Sequence, residues 1–340
     1  MIQRQFHPAF AGLLLALLVA PALNAHVADA APATPGASNS TASAASTPSA
    51  PPTEASTANL RPHYVPGRVS RYDIWSSRRQ QVRVTFMGQS EEIDSLLETT
   101  GVVTWRVDRA RADGTATCVM VIDWIAATSK VGDTEPTHND SRKNAGDTPA
   151  MHTLLKSMAG VPITVEMAAD GSVAKVTGVD AVRQRAGDDL NVPDELDFVE
   201  SASDLATIIA AQDHMAVNQS FKASAAWNHE LGKLNHDIQF TLTSLEDIAG
   251  IPVATVTGAA KLKLDLDQAK LPKDGPRVDV KLTRGEATTQ IMFDLSRREA
   301  VGRNSSQTTV LEAKISHEGQ TVTRVAEETI QSQALRIAEK

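Results

Sequence analysis

The sequence predicts a mainly β protein, built as a large curved antiparallel sheet (half-barrel or sandwich-like) with a few short helices packed on one face. Three observations predict this fold. Apolar and polar residues alternate over many long segments, glycine-containing turn signals separate these segments, and helical patterns are confined to residues 148–213. Alternation with a period of two is typical of strands that bury one face and expose the other.

The stretch AGVPITVEMAADGSVAKVTG, residues 159–178, predicts a hairpin with its turn at Asp170-Gly171. A type I′ turn needs positive φ at both central positions, which Asp-Gly supplies well. This register sorts apolar residues from polar ones without exception, in the pairs Ile163–Gly178, Thr164–Thr177, Val165–Val176, Glu166–Lys175 and Met167–Ala174. A shift by one residue would exchange the two faces.

Three further hairpins are predicted, with turns at Asp113-Gly114, Gly232-Lys233 and Arg297-Arg298. The first places a set of apolar residues on one face: Val103, Trp105, Val107, Cys118, Met120, Ile122 and Trp124. The last places three on one face: Ile291, Phe293 and Leu295. Long strands are also predicted over residues 70–75, 81–87, 261–267, 305–316 and 321–332. Arg78-Arg79 and Arg297-Arg298 are interpreted as solvated residues at strand ends or turns.

Residues 1–25 predict a signal peptide, because Arg4 precedes a twelve-residue apolar run that ends in small residues. Cleavage is expected after Ala25 or Ala30, and a retained segment is the alternative. The run is shorter than the ~20 residues that span a bilayer. Residues 26–60 are rich in Ala, Pro, Ser and Thr and predict a disordered linker. We therefore expect an exported, periplasmic or extracellular protein with no transmembrane segment after cleavage.

Residues 61–340 are expected to form the antiparallel β domain, either as one unit or as two related halves, 61–190 and 214–340. AGVPITV at 159–165 recurs as AGIPVATV at 249–256, which favours related halves.

Helical signals are few and lie between the predicted strands. Pro149 and Gly160 bound one short helix, and residues 178–189 predict a turn or two of a second. The segment 194–213 is predicted to be an amphipathic helix, with its apolar face at Leu205, Ile208 and Ile209.

Composition and motifs argue against several functions. The net charge of −8 and the lack of a basic stripe exclude a typical nucleic-acid-binding protein. No nucleophile elbow or phosphate-binding loop occurs, and the S-x-x-K match at Ser172 lies on a predicted strand, where its Ser and Lys point to opposite faces. The single cysteine, Cys118, is interpreted as a buried thiol. We therefore expect no enzyme activity and no cofactor.

One candidate metal site remains. A turn at Gly232-Lys233 would place His229 directly opposite His236, with Cβ atoms ~5 Å apart. Two opposed imidazoles could supply half of a zinc or copper site and would lower each other's pKa. The alternative, which we favour, is two core histidines with local hydrogen bonds. The sequence does not place a third ligand, for which His152 and His214 are candidates.

Several motifs together resemble an exported bacterial β-rich family that is classed as a domain of unknown function. They are the hairpin at 113–125, the helix–hairpin unit at 154–178, Trp227, the strand at 250–256 and the closing hairpin at 293–315. The resemblance covers residues 68–335 and implies the same signal, linker and β domain, with no known activity or site. Many relatives carry a lipid-anchor cysteine, which this chain lacks.

The expected function is that of a non-catalytic envelope or periplasmic binding or scaffold module. A sheet of this size has more apolar face than short helices cover, so lipid or another apolar ligand is the expected partner. An envelope protein is an alternative partner, and two halves packed as a sandwich would leave no ligand site. The rival functions are metal binding at His229 and His236, and a hydrolase built from dispersed carboxylates.

Overall fold

The computed structural model describes most of the chain after the predicted linker. The described ranges are residues 57–187, 190, 192, 212–229, 231–267, 277–317 and 319–337. Outside these ranges lie the predicted signal peptide and nearly all of the predicted linker. The helix predicted over 194–213 also lies outside them, except for its last two residues.

Fourteen strands and two helices form within the described residues. The strands are β1 (Thr57–Ala58), β2 (Val69–Phe86), β3 (Gln89–Ala110), β4 (Ala116–Val131), β5 (Thr137–Asp140), β6 (Pro162–Met167), β7 (Val173–Thr177), β8 (Met215–Ala216), β9 (Ser220–His229), β10 (Gly232–Ile248), β11 (Ile251–Leu266), β12 (Arg277–Asp294), β13 (Glu299–His317) and β14 (Gln320–Arg336). The helices are α1 (Pro149–Met158) and α2 (Val179–Ala186).

Twelve strands form one open antiparallel sheet in the order β7-β6-β4-β3-β2-β14-β13-β12-β11-β10-β9, with β5 paired to β4. The last strand, β14, pairs with β2 from Val322 to Arg336, so the two predicted halves lie side by side in one sheet. Strands β1 and β8 form a separate pair. The predicted mainly β fold, with one large antiparallel sheet and short helices on one face, is confirmed.

The start of the β domain differs from the prediction. Residues 57–60 were expected in the linker, but β1 pairs with β8, and Leu60 is fully buried. Their Ala, Asn and Thr composition resembles the preceding segment, whereas their burial depends on contacts with residues far away in the chain. Residues 57–60 therefore belong to the folded region.

The hairpin at 159–178 has the predicted register near its base. Thr164, Val165 and Glu166 pair with Thr177, Val176 and Lys175. A bulge then places Met167 opposite Val173 rather than Ala174. The turn differs because Asp170 keeps a negative φ and accepts hydrogen bonds from the N–H and hydroxyl of Ser172, so only Gly171 has positive φ. This local carboxylate bonding competes with the type I′ geometry.

The hairpin around Asp113-Gly114 also follows the prediction, with one correction. Val103, Trp105 and Val107 pair with Ile122, Met120 and Cys118. A bulge at Asp123 then reverses the alternation, so Trp124 pairs with Val102 and leaves the predicted face. The Arg142 guanidinium lies 3.8 Å from the centroid of the Trp124 ring.

Two hydrophobic cores share one face of the sheet, which we call the inner face. Directly paired residues lie on the same face of a sheet. One row of such pairs runs across eight strands: Ile125, Gly101, Ile74, Ala334, Arg303, Ile291, Val256 and Leu242. The first core joins β3, β4 and β6 to α1 and α2, and the second joins β10, β11 and β12 to Leu60 and Met215.

Candidate functional site: a cavity on the inner face

A cavity of about 150 Å³ opens on the inner face where the two cores meet. Trp105, Val107, Cys118 and Met167 contribute from the side of the first core. Ile291, Phe293 and Ala300 contribute from the side of the second. Polar and charged groups complete the lining: His63, Arg68, Ser70, Arg298, Glu299 and Arg303. The arrangement, an apolar interior with a few convergent polar groups, is typical of small-molecule sites.

The cavity contains both tyrosines of the chain, Tyr64 and Tyr72. Burial raises the pKa of each phenol, and the neighbouring Glu299 carboxylate raises that of Tyr72 further. The Tyr72 hydroxyl donates a hydrogen bond of 3.0 Å to the carbonyl oxygen of Ala300. Both phenols are therefore neutral over the ordinary pH range.

One wall is formed by residues 59–68, which we call the strap. Near its start, the Leu60 N–H donates to the Gln212 carbonyl at 2.9 Å. At its end, the Gly67 N–H donates to the carbonyl of Val107, and the Val107 N–H donates to the carbonyl of Arg68. The strap therefore crosses from the second core to β3 and is anchored at both ends.

A network of ion pairs fixes the end of the sheet beside the cavity. The carboxylate of Asp294 is 1% exposed and lies 3.1 Å from Nη2 of Arg336. Arg336 also bonds Glu299 through Nη1, and Glu299 accepts from Ser70 Oγ at 3.1 Å. Burial raises the pKa of Asp294, but hydrogen bonds from Ser296, Arg297 and Arg336 outweigh it, so the pKa lies below its ordinary value.

Arg297 and Arg298 are not the solvated turn residues that the sequence suggested. Arg297 Nε lies 2.8 Å from Glu299 Oε1. Arg298 donates from Nε to the carbonyl of Arg61 at 2.9 Å and from Nη2 to Asn59 Oδ1 at 3.3 Å. Its φ of +55° is uncommon for a residue other than glycine. The turn thus holds two arginines against the strap and the cavity.

The interpretation of Arg78-Arg79 as strand-end residues is also wrong. Both lie in the middle of β2, and the Arg78 guanidinium pairs with Glu328 on β14 at 2.5 Å. The side chains of this pair are 14% and 17% exposed, respectively. Arg79 is exposed, whereas Arg78 is largely buried in a cross-strand ion pair. The two arginines therefore do not mark a turn.

Cys118 is a buried free thiol, as predicted. Burial raises its pKa to about 12, and the carboxylates of Asp108 and Glu166 add to the shift. A thiol with this pKa is almost entirely protonated at neutral pH, which makes it a poor nucleophile. In the cavity, Cys118 serves as part of the apolar wall.

The predicted pairing of His229 with His236 does not form. The register places His229 opposite Gly232, and His236 opposite Ala225. Gly232 pairs with His229, so it follows the turn rather than forming it, and a Cβ there would lie 2.0 Å from the carbonyl oxygen of Asp265 on β11. Glycine is required here because the two strands approach closely, and no local pattern in the sequence indicates this neighbour.

With this register the structure does not show the opposed pair of imidazoles, and the His229 side chain lies outside what the structure describes, so metal binding at His229 and His236 stays a prediction. Across the described ranges, no group of three His, Cys, Asp or Glu side chains is placed to hold a metal ion. His236 itself is 4% exposed, and burial lowers its pKa to about 3. The lowered pKa therefore comes from burial, rather than from an opposed imidazole.

The cavity was not predicted from the sequence. Its walls come from β2, β3, β4, β6, β12, β13 and the strap, which lie far apart in the chain. One available signal was that both tyrosines fall within residues 64–72, directly before and at the start of the first long strand.

The sequence matches the model of a family of unknown function, DUF6263, over residues 113–297. The match covers more than half of the chain. The chain belongs to this family. The predicted resemblance to a domain of unknown function is thus confirmed, over a shorter range than 68–335. The DUF6263 match runs from the β3–β4 turn to the β12–β13 turn, so it includes both helices and ends just before Arg298.

No curated protein matches the sequence. Among solved structures, a chain from a study of lipid–protein interactions in lipovitellin is 11% identical, with a TM-score of 0.45, and the match covers 81% of this chain and 26% of that chain. The present chain thus spans about a quarter of the lipovitellin chain.

Two bacterial structures are also similar. The outer membrane protein OprG from Pseudomonas aeruginosa is 6% identical, with a TM-score of 0.24 and coverage of 82% of this chain and 99% of that chain. A DUF1329 family protein from Desulfovibrio piger is 7% identical, with a TM-score of 0.13 and coverage of 76% and 84%. These scores are too low to assign a shared function. In the part of the chain that is described, neither helix has the length and apolarity needed to cross a membrane.

Replacing Arg336 should destabilise the fold strongly, because the buried Asp294 would lose its guanidinium partner. We expect Arg336→Gln to lower the free energy of unfolding in urea by about 3 kcal/mol. Arg284→Gln is the matched control, since Arg284 pairs with Glu286 while both side chains are more than half exposed. The double variant Asp294→Asn, Arg336→Gln should recover part of the loss. Equal losses in Arg336→Gln and Arg284→Gln would contradict this role.

The stability should fall as the pH drops below the unfolded-state pKa of His236, about 6.5. In the folded protein the pKa of His236 is about 3. Between pH 6.5 and 3 the unfolded state therefore binds more protons than the folded state, and each pH unit of acidification stabilises the unfolded state by about 1.4 kcal/mol. Between pH 7 and 5, the free energy of unfolding should therefore fall by about 2 kcal/mol more in the wild type than in His236→Leu. Removing the exposed His138 by His138→Gln serves as the control. Parallel pH profiles for wild type and His236→Leu would show that His236 titrates normally.

Proposed function

We propose that this protein is an exported, non-catalytic binding protein that holds a small apolar or amphipathic ligand in the inner-face cavity. The observation that carries the proposal is the cavity itself. Its walls include both tyrosines, Trp105 and Phe293, in a chain that has only 4% aromatic residues. A cavity that gathers apolar side chains from seven separate segments favours an apolar guest.

The volume limits the size of the enclosed group. An engineered cavity of about 150 Å³ in another protein stays dry and binds benzene. The cavity here has about the same volume, so it suits a single ring or a short alkyl segment. A complete lipid chain would have to extend beyond it along the inner face.

The lining supports binding rather than catalysis. The Cys118 thiol has a pKa of about 12, which keeps it protonated at neutral pH. The Glu299 carboxylate is held by Arg336 and Arg297 and accepts from Ser70, so it is poorly placed to act as a base. The phenols are neutral because burial raises the pKa of both.

Export is supported by the sequence pattern of residues 1–25, with Arg4, a short apolar run and small residues before Ala25. The predicted linker would then place the β domain away from the point of export, in the periplasm or outside the cell. A protein partner in the envelope is the alternative if no small ligand binds.

Toluene should bind in the cavity of the purified protein. Titration followed by methyl NMR is expected to shift the signals of Met167 and Ile291, which line the cavity, and to leave the signals of distant methyl groups unchanged. Ala300→Phe should abolish these shifts, because the added ring fills the space. Ala259→Phe, at an exposed position of β11, is the matched control and should bind like the wild type. Absence of saturable shifts in the wild type would overturn the proposed site.

A further inference from the structure

We infer that the ligand is an organic anion, in which a compact apolar group carries a carboxylate or similar acidic group that lies at Arg298. This inference rests on the proposed function, because it names the chemical class that the same cavity would select. It follows from the charges of the residues that line the cavity and from the partners that those charges already have.

The charge of the lining is opposite to that of the chain. The cavity is lined by three arginines, Arg68, Arg298 and Arg303, and by one carboxylate, Glu299. The whole chain carries a net charge of −8. A local excess of positive charge in an acidic protein raises the concentration of anions at that site.

The carboxylate in the lining is already neutralised from within the fold. Glu299 bonds Nη1 of Arg336 and lies 2.8 Å from Nε of Arg297. Arg68 adds a third guanidinium, whose Nη1 lies 3.8 Å from Glu299 Oε2. Because its charge is compensated, Glu299 offers little attraction to a cationic ligand.

Arg298 differs from these arginines in the partners that it has. Its guanidinium donates to two neutral oxygens, the carbonyl of Arg61 and Oδ1 of Asn59. Within the described ranges, Arg298 forms no ion pair with a carboxylate. Asp213, which its charge also stabilises, is bonded instead by Arg61 at 2.9 Å. Arg298 therefore brings a positive charge to the cavity wall that the fold leaves largely uncompensated.

The donor that would hold the acidic group is the Arg298 guanidinium, which lines the cavity. Trp105 also lines the cavity, but its indole Nε1–H is buried away from the open space and lies out of a ligand's reach. A carboxylate is an acceptor only, and a guanidinium binds it with two parallel hydrogen bonds. The lining thus offers donors around an apolar space, which matches an anion with an apolar group.

The test uses three probes with the same phenylpropyl group: 3-phenylpropionate, 3-phenyl-1-propanol and 3-phenylpropylamine. Isothermal titration of the wild-type protein at neutral pH should give the tightest binding for the carboxylate, about tenfold tighter than for the alcohol. The amine should bind most weakly. Equal affinities of the wild-type protein for the three probes, or a preference for the amine, would overturn the inference. This result needs no variant.

Variants assign the preference to Arg298. Arg298→Gln should bring the carboxylate to the affinity of the alcohol, whereas Arg298→Lys should keep part of the preference because it keeps the charge. Arg284→Gln removes an exposed arginine of β12 from outside the lining and should leave all three affinities unchanged. A carboxylate preference that survives Arg298→Gln in a protein with wild-type circular dichroism would overturn the role of Arg298.

The failures of the two proposals can be told apart. If the alcohol and the carboxylate bind equally and Ala300→Phe abolishes both, the apolar site stands and the anion inference is wrong. If none of the three probes binds, and toluene does not bind either, the proposed function is wrong as well.

Discussion

The bonds of Arg336 to Asp294 and Glu299 join the parts of the chain that enclose the cavity. Arg336 is the last residue of β14, and the two carboxylates lie at the facing ends of β12 and β13. Asp294 is almost fully buried, and a buried carboxylate is tolerated only when charged and hydrogen-bonding partners surround it. The end of β14 is therefore fixed against the β12–β13 turn. Arg298 of that turn bonds to the strap.

The strand order explains why one sheet has two cores. β14 pairs with β2 on one side and with β13 on the other, so the first and last long strands meet in the middle of the sheet. The inner face there includes hydroxyls, such as the bonded pair Ser305–Ser332 with oxygens 2.5 Å apart. The two hydrophobic cores lie on either side of these strands, and the cavity lies where the cores approach each other beneath the strap.

Much of the local structure could be predicted from the sequence, because strand alternation and turn residues act over short distances. The pairs of Thr164, Val165 and Glu166 and the burial of Cys118 are examples. Predictions failed where a distant neighbour decided the outcome. The sequence predicts Gly232 as a turn residue, but in the structure Gly232 makes room for the backbone of Asp265.

The site required contacts that no local pattern contains. Arg68 approaches Glu299 and Arg336 approaches Asp294 only after the sheet has assembled. The bulge at Asp123 has no strong signature either, and it was enough to move Trp124 to the other face. The strap has the composition of a linker at its start, so its burial could be recognised only from the folded chain.

The most direct test of a ligand in the cavity is native mass spectrometry of the wild type and of Ala300→Phe, both purified from an exporting host. Occupancy of the cavity predicts an additional mass of a small organic acid on the wild-type protein, which denaturation releases and which the variant lacks. If both proteins show only the mass of the polypeptide, or carry the same additional mass, the cavity does not hold a ligand that the cell supplies.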